Sequence, residues 1–265
     1  VLDDLAGTYL CTDTTGVPVV LRVAHQLSGE DLMRAEADVL THLHRDPGGD
    51  EAAAFIPELL EHFYFTEAGR PEPRPANALA ARGELFTLAE VRQAYPHGVG
   101  PKDFAWVWRR VLAALAFAHG RGVVHGAVLP PNILINAGHA VQLSGWPYAV
   151  CAEAGTTAHV PAVDSRYRDW YPPGVLGREP AHAGVDMALA ARTMVFLLGG
   201  DPLAGTLPRG VPPAVGAHLK ACASSRGALL ALRSFDGVIE RLWGPRTYHP
   251  FTMPGRAEFG YRASE

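Results

Sequence analysis

Lysine is almost missing from this sequence of 265 residues, in which Lys102 and Lys220 stand alone and arginine provides the rest of the basic charge. No lysine precedes Lys102, so a ligand site built from residues 1–101 cannot contain a lysine ammonium. Arginine does not replace it freely, because its planar guanidinium is longer and bulkier than an ammonium. The heavy use of alanine, glycine, proline and arginine is typical of a GC-rich bacterial genome, which is an association and not a physical argument.

Cysteine and net charge are also low. The 3 cysteines, Cys11, Cys151 and Cys222, are far apart and form no CxxC or Cys/His pattern, which argues against a disulfide framework and a zinc site. A reducing cytoplasm is the expected location. A formal net charge of −4 lacks the basic footprint that nucleic acids and anionic membranes require. We therefore expect neither nucleic acid nor membrane among the partners.

Long apolar runs are absent as well. No stretch of about 18 uninterrupted apolar residues occurs, and the N-terminus lacks the basic-then-apolar pattern of a signal peptide. With 48% hydrophobic and 19% charged residues, the composition is that of a folded globular chain with a substantial core. This size permits an enzyme but does not argue for one.

Strands around a single helix are predicted for the first 80 residues. Two β-rich runs, Gly7–Cys11 and Val17–Ala24, flank turn residues and predict a hairpin. Ser28 followed by two acidic residues predicts a helix cap, and apolar residues at helical spacing extend that helix from about Gly29 to His44. Two more strands are predicted at 62–65 and near 74–79, with a loop containing proline and glycine over 67–75.

Helical patterns dominate from residue 84 onward. An apolar stripe predicts a long helix between Gly100 and Gly122, and a nearly all-apolar run from Val185 to Leu198 predicts a buried central helix. Two short apolar runs, 132–135 and 140–143, flank a turn sequence and predict a small hairpin. Further helices are expected at 87–94 and 229–243.

This order of elements, with Val123–Asn132 between a long helix and a short hairpin, resembles the bilobal protein kinase fold. The resemblance is to a degenerate member of the kind found among bacterial serine/threonine kinases, and it covers nearly all of residues 7–245. It implies an α+β fold with a small β-rich N-lobe over 1–83, a larger mainly helical C-lobe over 84–245, and an aromatic tail over 246–265.

The first degenerate motif is the strand that carries the nucleotide lysine. In active kinases a V-A-I-K strand supplies a lysine that holds phosphates and pairs with a glutamate on the following helix. Here the strand ends in Arg22, and Glu36 matches the glutamate. The resemblance implies that both residues line a degenerate nucleotide cleft. A structural ion pair that links the strand to the helix is the other interpretation.

The second is the catalytic loop, H-R-D-x-x-x-x-N in the family. Here it runs HGAVLPPN from His125 to Asn132, so the spacing and the asparagine are retained. Ala127 stands where the family's aspartate accepts the substrate proton, and an alanine side chain has no lone pair. Aminoglycoside-phosphotransferase-like enzymes have a similar H-G-D loop, in which Ala127 would remove the same base. His125 is expected to brace the loop.

The third is the metal-binding D-F-G motif. Aligning residues 143–149, LSGWPYA, with L-x-D-F-G-x-A puts Gly145 at the aspartate, followed by Trp146 and Pro147. Magnesium prefers oxygen ligands and ordinarily one or two carboxylates, so Asn132 alone should hold it poorly. We therefore expect no metal ion and no cofactor. We also expect Trp146 and Pro147 to narrow the cleft between the two lobes. Weak binding of ATP without metal stays open.

Other family positions are retained only in part. Asp186 matches the structural aspartate that caps the backbone of the catalytic loop. Gly174 replaces the glutamate of the A-P-E segment, whose arginine partner would be Arg226. No G-x-G-x-x-G sequence precedes Tyr9, and a start at Val1 leaves open whether part of that loop was removed.

The sequence therefore predicts a catalytically inactive kinase-like domain, a pseudokinase that binds or scaffolds a protein partner. One alternative is a repurposed transferase, for example of adenylyl groups, and another is a weakly competent small-molecule kinase. The transferase would use Arg22, Glu36 and Asn132 with recruited carboxylates such as Glu153, Asp164 and Asp169.

Aromatic residues in the tail allow two interpretations. Proline and glycine interrupt the tail, so its aromatic residues cannot form a helix with an apolar face. They either pack on the helical part or contact another protein. On the long helix, Trp106 and Trp108 are expected to be core residues. The tail residues concerned are Tyr248, Phe251, Met253, Phe259 and Tyr261.

Overall fold

The computed structural model describes residues 5–45, 51–67, 69–152, 157–225 and 227–253. The fold is α+β, as predicted: a sheet lobe (residues 5–80) is followed by a helical region (residues 81–243). The strands are β1 Ala6–Thr12, β2 Pro18–Ala24, β3 Leu59–Glu67, β4 Arg70–Ala80, β5 Phe86–Thr87, β6 Val123–Val124, β7 Ile133–Ile135, β8 Val141–Leu143 and β9 Val150–Cys151. The helices are α1 Glu30–His44, α2 Leu88–Ala94, α3 Pro101–Gly120, α4 Pro173–Leu176, α5 Ala183–Leu197, α6 Pro213–Ala223 and α7 Ala228–Trp243.

Four antiparallel strands in the order β1-β2-β4-β3 form the sheet lobe. The predicted hairpin is β1 and β2, in which Thr8 lies opposite Arg22. On its other side β2 pairs with β4, so that Arg22 also lies opposite Asn77. This register brings an asparagine from a distant part of the chain beside the arginine.

The predicted loop over 67–75 is wrong, because β3 continues to Glu67 and β4 begins at Arg70. Pro71, Pro73 and Pro75 lie within β4. They are two residues apart, so their missing N–H groups all fall on one side of the strand. Strand β2 pairs with Ala76–Ala80 and does not reach the prolines, whereas β3 pairs with the proline segment and lies opposite Pro75.

Helix α1 has the predicted length but not the predicted cap. Its N-cap is Gly29, and the Ser28 hydroxyl instead donates to the side chain of Gln26. Glu30 and Asp31 occupy the first turn, where negative charge interacts favourably with the helix dipole. The buried positions of α1 include Glu36 among apolar residues, so its inner face carries one carboxylate.

The predicted helices of the helical region are confirmed, and two, the short α4 and the longer α6, were missed. Thr87 caps α2 in a reciprocal box with Glu90, and α3 and α5 are both largely buried. Sequence analysis did not predict α6, although it buries Val215, Leu219 and Cys222 at helical spacing. The predicted small hairpin is β7 paired with β8.

One continuous hydrophobic core joins the sheet lobe to the helical region. Val39, Leu40 and Leu43 of α1 belong to the same buried cluster as the interior residues of α3 and α5. Trp108 is fully buried in this cluster, as predicted, and Trp106 is nearly so. The two parts therefore share a core through α1.

Among the residues that the structure describes, no helix combines the length and the apolar character needed to cross a bilayer.

Candidate functional site

Arg22 and Glu36 form an ion pair between β2 and α1. Both side chains are buried, with exposed fractions of 3% and 1%. The second carboxylate oxygen of Glu36 accepts a hydrogen bond from Asn77 Nδ2 at 2.9 Å, and the same amide group donates to the Met33 carbonyl at 2.9 Å. The guanidinium charge is thus neutralised inside a three-element junction of β2, α1 and β4.

His62 adds strand β3 to this junction. Its Nδ1 lies 2.6 Å from Asn77 Oδ1, which holds the amide in the orientation that donates to Glu36. Sequence analysis missed both Asn77 and His62. One feature of the sequence could have indicated Asn77: it is the single polar residue in the apolar run Ala76–Ala80. A buried amide requires a polar partner, so a hydrogen-bonded contact could have been predicted there.

Asp186 braces the buried loop between β6 and β7, as predicted. Its Oδ1 accepts from the Gly126 N–H at 2.7 Å, and its Oδ2 accepts from the His125 N–H at 2.8 Å. His119 Nε2 lies 2.8 Å from the same Oδ2. Burial alone would raise the pKa of the Asp186 carboxyl, but the hydrogen bond and charge of His119 outweigh it, so the net pKa is lowered. The loop therefore rests on an ionised carboxylate.

His125 is locked in one neutral tautomer. Its Nε2 donates to the Ser144 carbonyl at 2.8 Å, and its Nδ1 accepts from the Ala127 N–H at 3.2 Å. The ring packs edge-on against Trp146, with centroids 4.5 Å apart. Burial lowers the pKa of His125 from 6.5 to about 4, although the nearby Asp186 opposes this shift. The predicted bracing role of His125 agrees with these contacts.

We expect His125 to make the stability of the protein depend on pH. The unfolded chain takes up a proton on this residue as the pH falls through 6.5, whereas the folded protein does so only near pH 4. The free energy of unfolding should therefore decrease between pH 6.5 and 4, by at most about 3 kcal/mol from this residue. NMR titration of the ring, assigned with a His125→Gln variant, checks it; a midpoint near 6.5 in the folded protein would contradict it.

Asn132 and Gly145 are brought into direct contact. The side-chain Nδ2 of Asn132 donates to the Ala127 carbonyl at 2.9 Å. The backbone carbonyl of Asn132 accepts from the Ser144 N–H at 2.7 Å. Gly145 has a φ of +87°, and a Cβ at this position would lie 2.5–2.7 Å from the side-chain amide of Asn132. The amide thus occupies the space that any side chain at position 145 would need.

The segment after Gly145 packs against helix α1. Trp146, Pro147 and Tyr148 form a short 3₁₀ turn that is buried and contacts α1. The Trp146 indole N–H donates to the Leu143 carbonyl at 2.7 Å. This turn connects the helix that carries Glu36 with the segment that carries Gly145.

No family model and no curated protein matches this chain. A functional interpretation therefore depends on the geometry of the site itself. In the part of the chain that the structure describes, no group of three or more His, Cys, Asp and Glu side chains is arranged to hold a metal ion. The candidate site thus consists of two closed polar junctions, one around Glu36 and one around Asp186.

Two of the carboxylates considered for a repurposed transferase, Asp164 and Asp169, lie in different environments. Asp164 is nearly buried and forms an ion pair with Arg166 at 2.7 Å, while Asp169 is exposed. Glu153 and Arg226 lie outside the described residues. The backbone carbonyl of Gly174 accepts from the Glu179 N–H, so a local turn surrounds this glycine.

The described part of the tail packs on the helical region, which agrees with the first of the two interpretations. Phe251 is buried and stacks on Tyr95 with centroids 5.7 Å apart. It also meets the edge of Trp106 at 5.6 Å. Phe259 and Tyr261 lie outside the described residues.

Proposed function

We propose that this chain is a kinase-like domain without phosphotransfer activity, which serves as a protein-binding or scaffolding module. The observation that carries the proposal is the state of the loop from His125 to Asn132. Its position for a catalytic base is Ala127, whose exposed fraction is 0%. A hydroxyl substrate would find neither a proton acceptor nor an accessible side chain there.

The ionic requirements of magnesium and a triphosphate are also unmet. Arg22 is already neutralised by Glu36 in a buried pair. The Asn132 amide donates within its own loop, and the space beside it at Gly145 is filled. Phosphoryl transfer depends almost entirely on positioning and on neutralising charge. Losing the base, the metal carboxylate and the lysine together removes each of these contributions.

Exposed apolar side chains on the sheet lobe support a protein partner. Strand β1 is an edge of the sheet, and Tyr9 and Leu10 on it are more than half exposed, as are Val17 and Leu27 nearby in the sheet lobe. Edge strands with exposed apolar residues are common sites of protein association. The closed polar junctions would keep this surface in a fixed shape.

A thermal-shift experiment with ATP tests the proposal. A site that binds ATP with a micromolar Kd would, at 1 mM ligand, raise the free energy of unfolding by roughly 4 kcal/mol. We expect no such rise in melting temperature with ATP and magnesium together, whereas a competent kinase assayed in parallel should show it.

Two outcomes of this experiment contradict the proposal. The first is stabilisation by ATP that requires magnesium, which would mean that the cleft binds a metal nucleotide. The second is metal-stimulated transfer of phosphate or adenylate to protein or small molecule in a radiolabel assay. The second result would favour a repurposed transferase instead.

A further inference from the structure

A cavity of about 460 Å³ lies away from the residues of the candidate site. Helices α3 and α7 form two of its walls, and the segment 244–249, here called the strap, forms a third. None of Arg22, Glu36, Asn132 and Gly145 lines it. Its volume falls within the usual range of small-molecule sites, about 300–1,000 Å³.

Basic side chains dominate the charge of this cavity. Among the described residues, Lys102, Arg109, Arg110 and Arg246 line it, together with a single carboxylate, Glu51. Asp236 pairs with Arg109 at 2.8 Å and lies 3.9 Å from Arg246. Within the described ranges, Lys102 and Arg110 have no carboxylate at ion-pair distance. These two residues leave the cavity with uncompensated positive charge.

Arg110 has only neutral partners: its guanidinium donates a hydrogen bond to the Trp106 carbonyl at 3.5 Å and has no anion beside it among the described residues. The side chain is partly buried, and its guanidinium lies 5.6 Å from the ring of Trp106. Burial and the neighbouring Arg109 lower the pKa of Arg110. A bound anion would offset both effects, since charge-assisted hydrogen bonds to carboxylate or phosphate are the strongest that a guanidinium forms.

Three stacked rings form the flat part of the lining. Trp106 and His139 are nearly parallel, 7° apart, with centroids separated by 4.2 Å. Tyr248 stacks on the other face of His139 at 4.7 Å and is 69% exposed. Planar ligands pack favourably against such rings.

The strap is anchored to α3 and to the β7–β8 turn. His139 Nε2 donates to the His249 carbonyl at 2.7 Å, and His249 Nε2 lies 3.3 Å from Asp103 Oδ1. The Tyr95 hydroxyl donates to the Thr252 carbonyl just beyond the strap. These contacts form the cavity wall without a ligand, so binding requires little ordering of the chain.

We propose that this cavity binds a small organic anion that carries a planar ring. Lys102 and Arg110 contact the anionic group, and the exposed ring of Tyr248, which is held in place by His139 and Trp106, provides the surface for the planar part. This site is separate from the one that carries the proposed function, so either proposal can fail alone.

Calorimetric titration with phenyl phosphate tests the proposal. We expect saturable binding that weakens as salt is added. Inorganic phosphate lacks the aromatic ring and phenol lacks the anionic group, so each should bind at least about tenfold more weakly than phenyl phosphate. The double variant Lys102→Gln/Arg110→Gln should lose about tenfold or more in affinity, the effect of removing one charge-assisted hydrogen bond.

The matched control is Lys220→Gln/Arg209→Gln, which makes the same change of charge at two exposed positions outside the cavity lining. It should bind phenyl phosphate like the parent. Tyr248→Ala, at an exposed position, should reduce the preference for phenyl phosphate over inorganic phosphate. The proposal is overturned by no binding at 10 mM phenyl phosphate (about ten thousand times a micromolar Kd), by equal affinity for inorganic phosphate, or by an undiminished affinity in the cavity variant.

Discussion

Asp186→Ala should lower the free energy of unfolding by about 3–5 kcal/mol. The carboxylate accepts from the backbone of His125 and Gly126 and pairs with His119. Without it, two buried N–H groups lose their acceptor, and each such loss costs about 1–3 kcal/mol. Urea denaturation followed by circular dichroism measures the change, and hydrogen exchange of the two amides locates it.

The control for this variant is Asp169→Ala, which removes an exposed carboxylate from the same helical region. It should leave the denaturation midpoint almost unchanged. A cost below about 1 kcal/mol for Asp186→Ala would mean that the loop is held mainly by other contacts. The Thr193 hydroxyl, which donates to the Val128 carbonyl at 2.8 Å, would then be the first to consider.

Glu36→Ala should be similarly destabilising, by about 3–5 kcal/mol, because it leaves the buried Arg22 guanidinium without its counter-charge. The double variant Arg22→Met/Glu36→Leu should recover most of that loss, since apolar side chains of similar size avoid the cost of burying two charges. Chemical denaturation of the two variants and the parent gives both values.

The pair Glu30 and Arg34 on the same helix, with exposed fractions of 34% and 54%, provides the comparison. Its double alanine variant should cost clearly less than Glu36→Ala, because solvent screens this pair, although Glu30 also accepts from the Tyr64 hydroxyl. If the Arg22/Glu36 double variant were as unstable as Glu36→Ala, the pair would hold more than its own charges in place. Asn77, which donates to Glu36, is the residue that such a result would implicate.

The contacts of these two junctions stabilise the surrounding backbone and do not depend on any catalysed reaction. Asp186 stabilises backbone N–H groups whether or not residue 127 can accept a proton. The Arg22–Glu36 pair joins strand to helix whether or not a nucleotide is present. Both junctions are therefore compatible with a structural role, as the proposed function requires, although the proposal itself depends on the loop that contains Ala127.

Local periodicity predicted most of the elements, because it depends only on neighbouring residues. The stripe of α3 and the apolar run of α5 were recognisable from spacing alone. The prolines of β4 misled the prediction, since their effect depends on whether a neighbouring strand needs their N–H groups. Helix α6 was missed although its apolar residues have helical spacing.

The sequence by itself determined which residue types are present: no lysine before Lys102, an alanine at position 127 and a glycine at position 145. Residue identity alone decides that the side chain at position 127 cannot accept a proton, because no packing can give a methyl group a lone pair. Only the tertiary structure decided that Asn77 completes the Glu36 junction, that Asn132 fills the space at Gly145, and that the strap encloses a basic cavity. Those features join residues far apart in the chain, and strand register and helix packing, which act over the whole fold, bring them together.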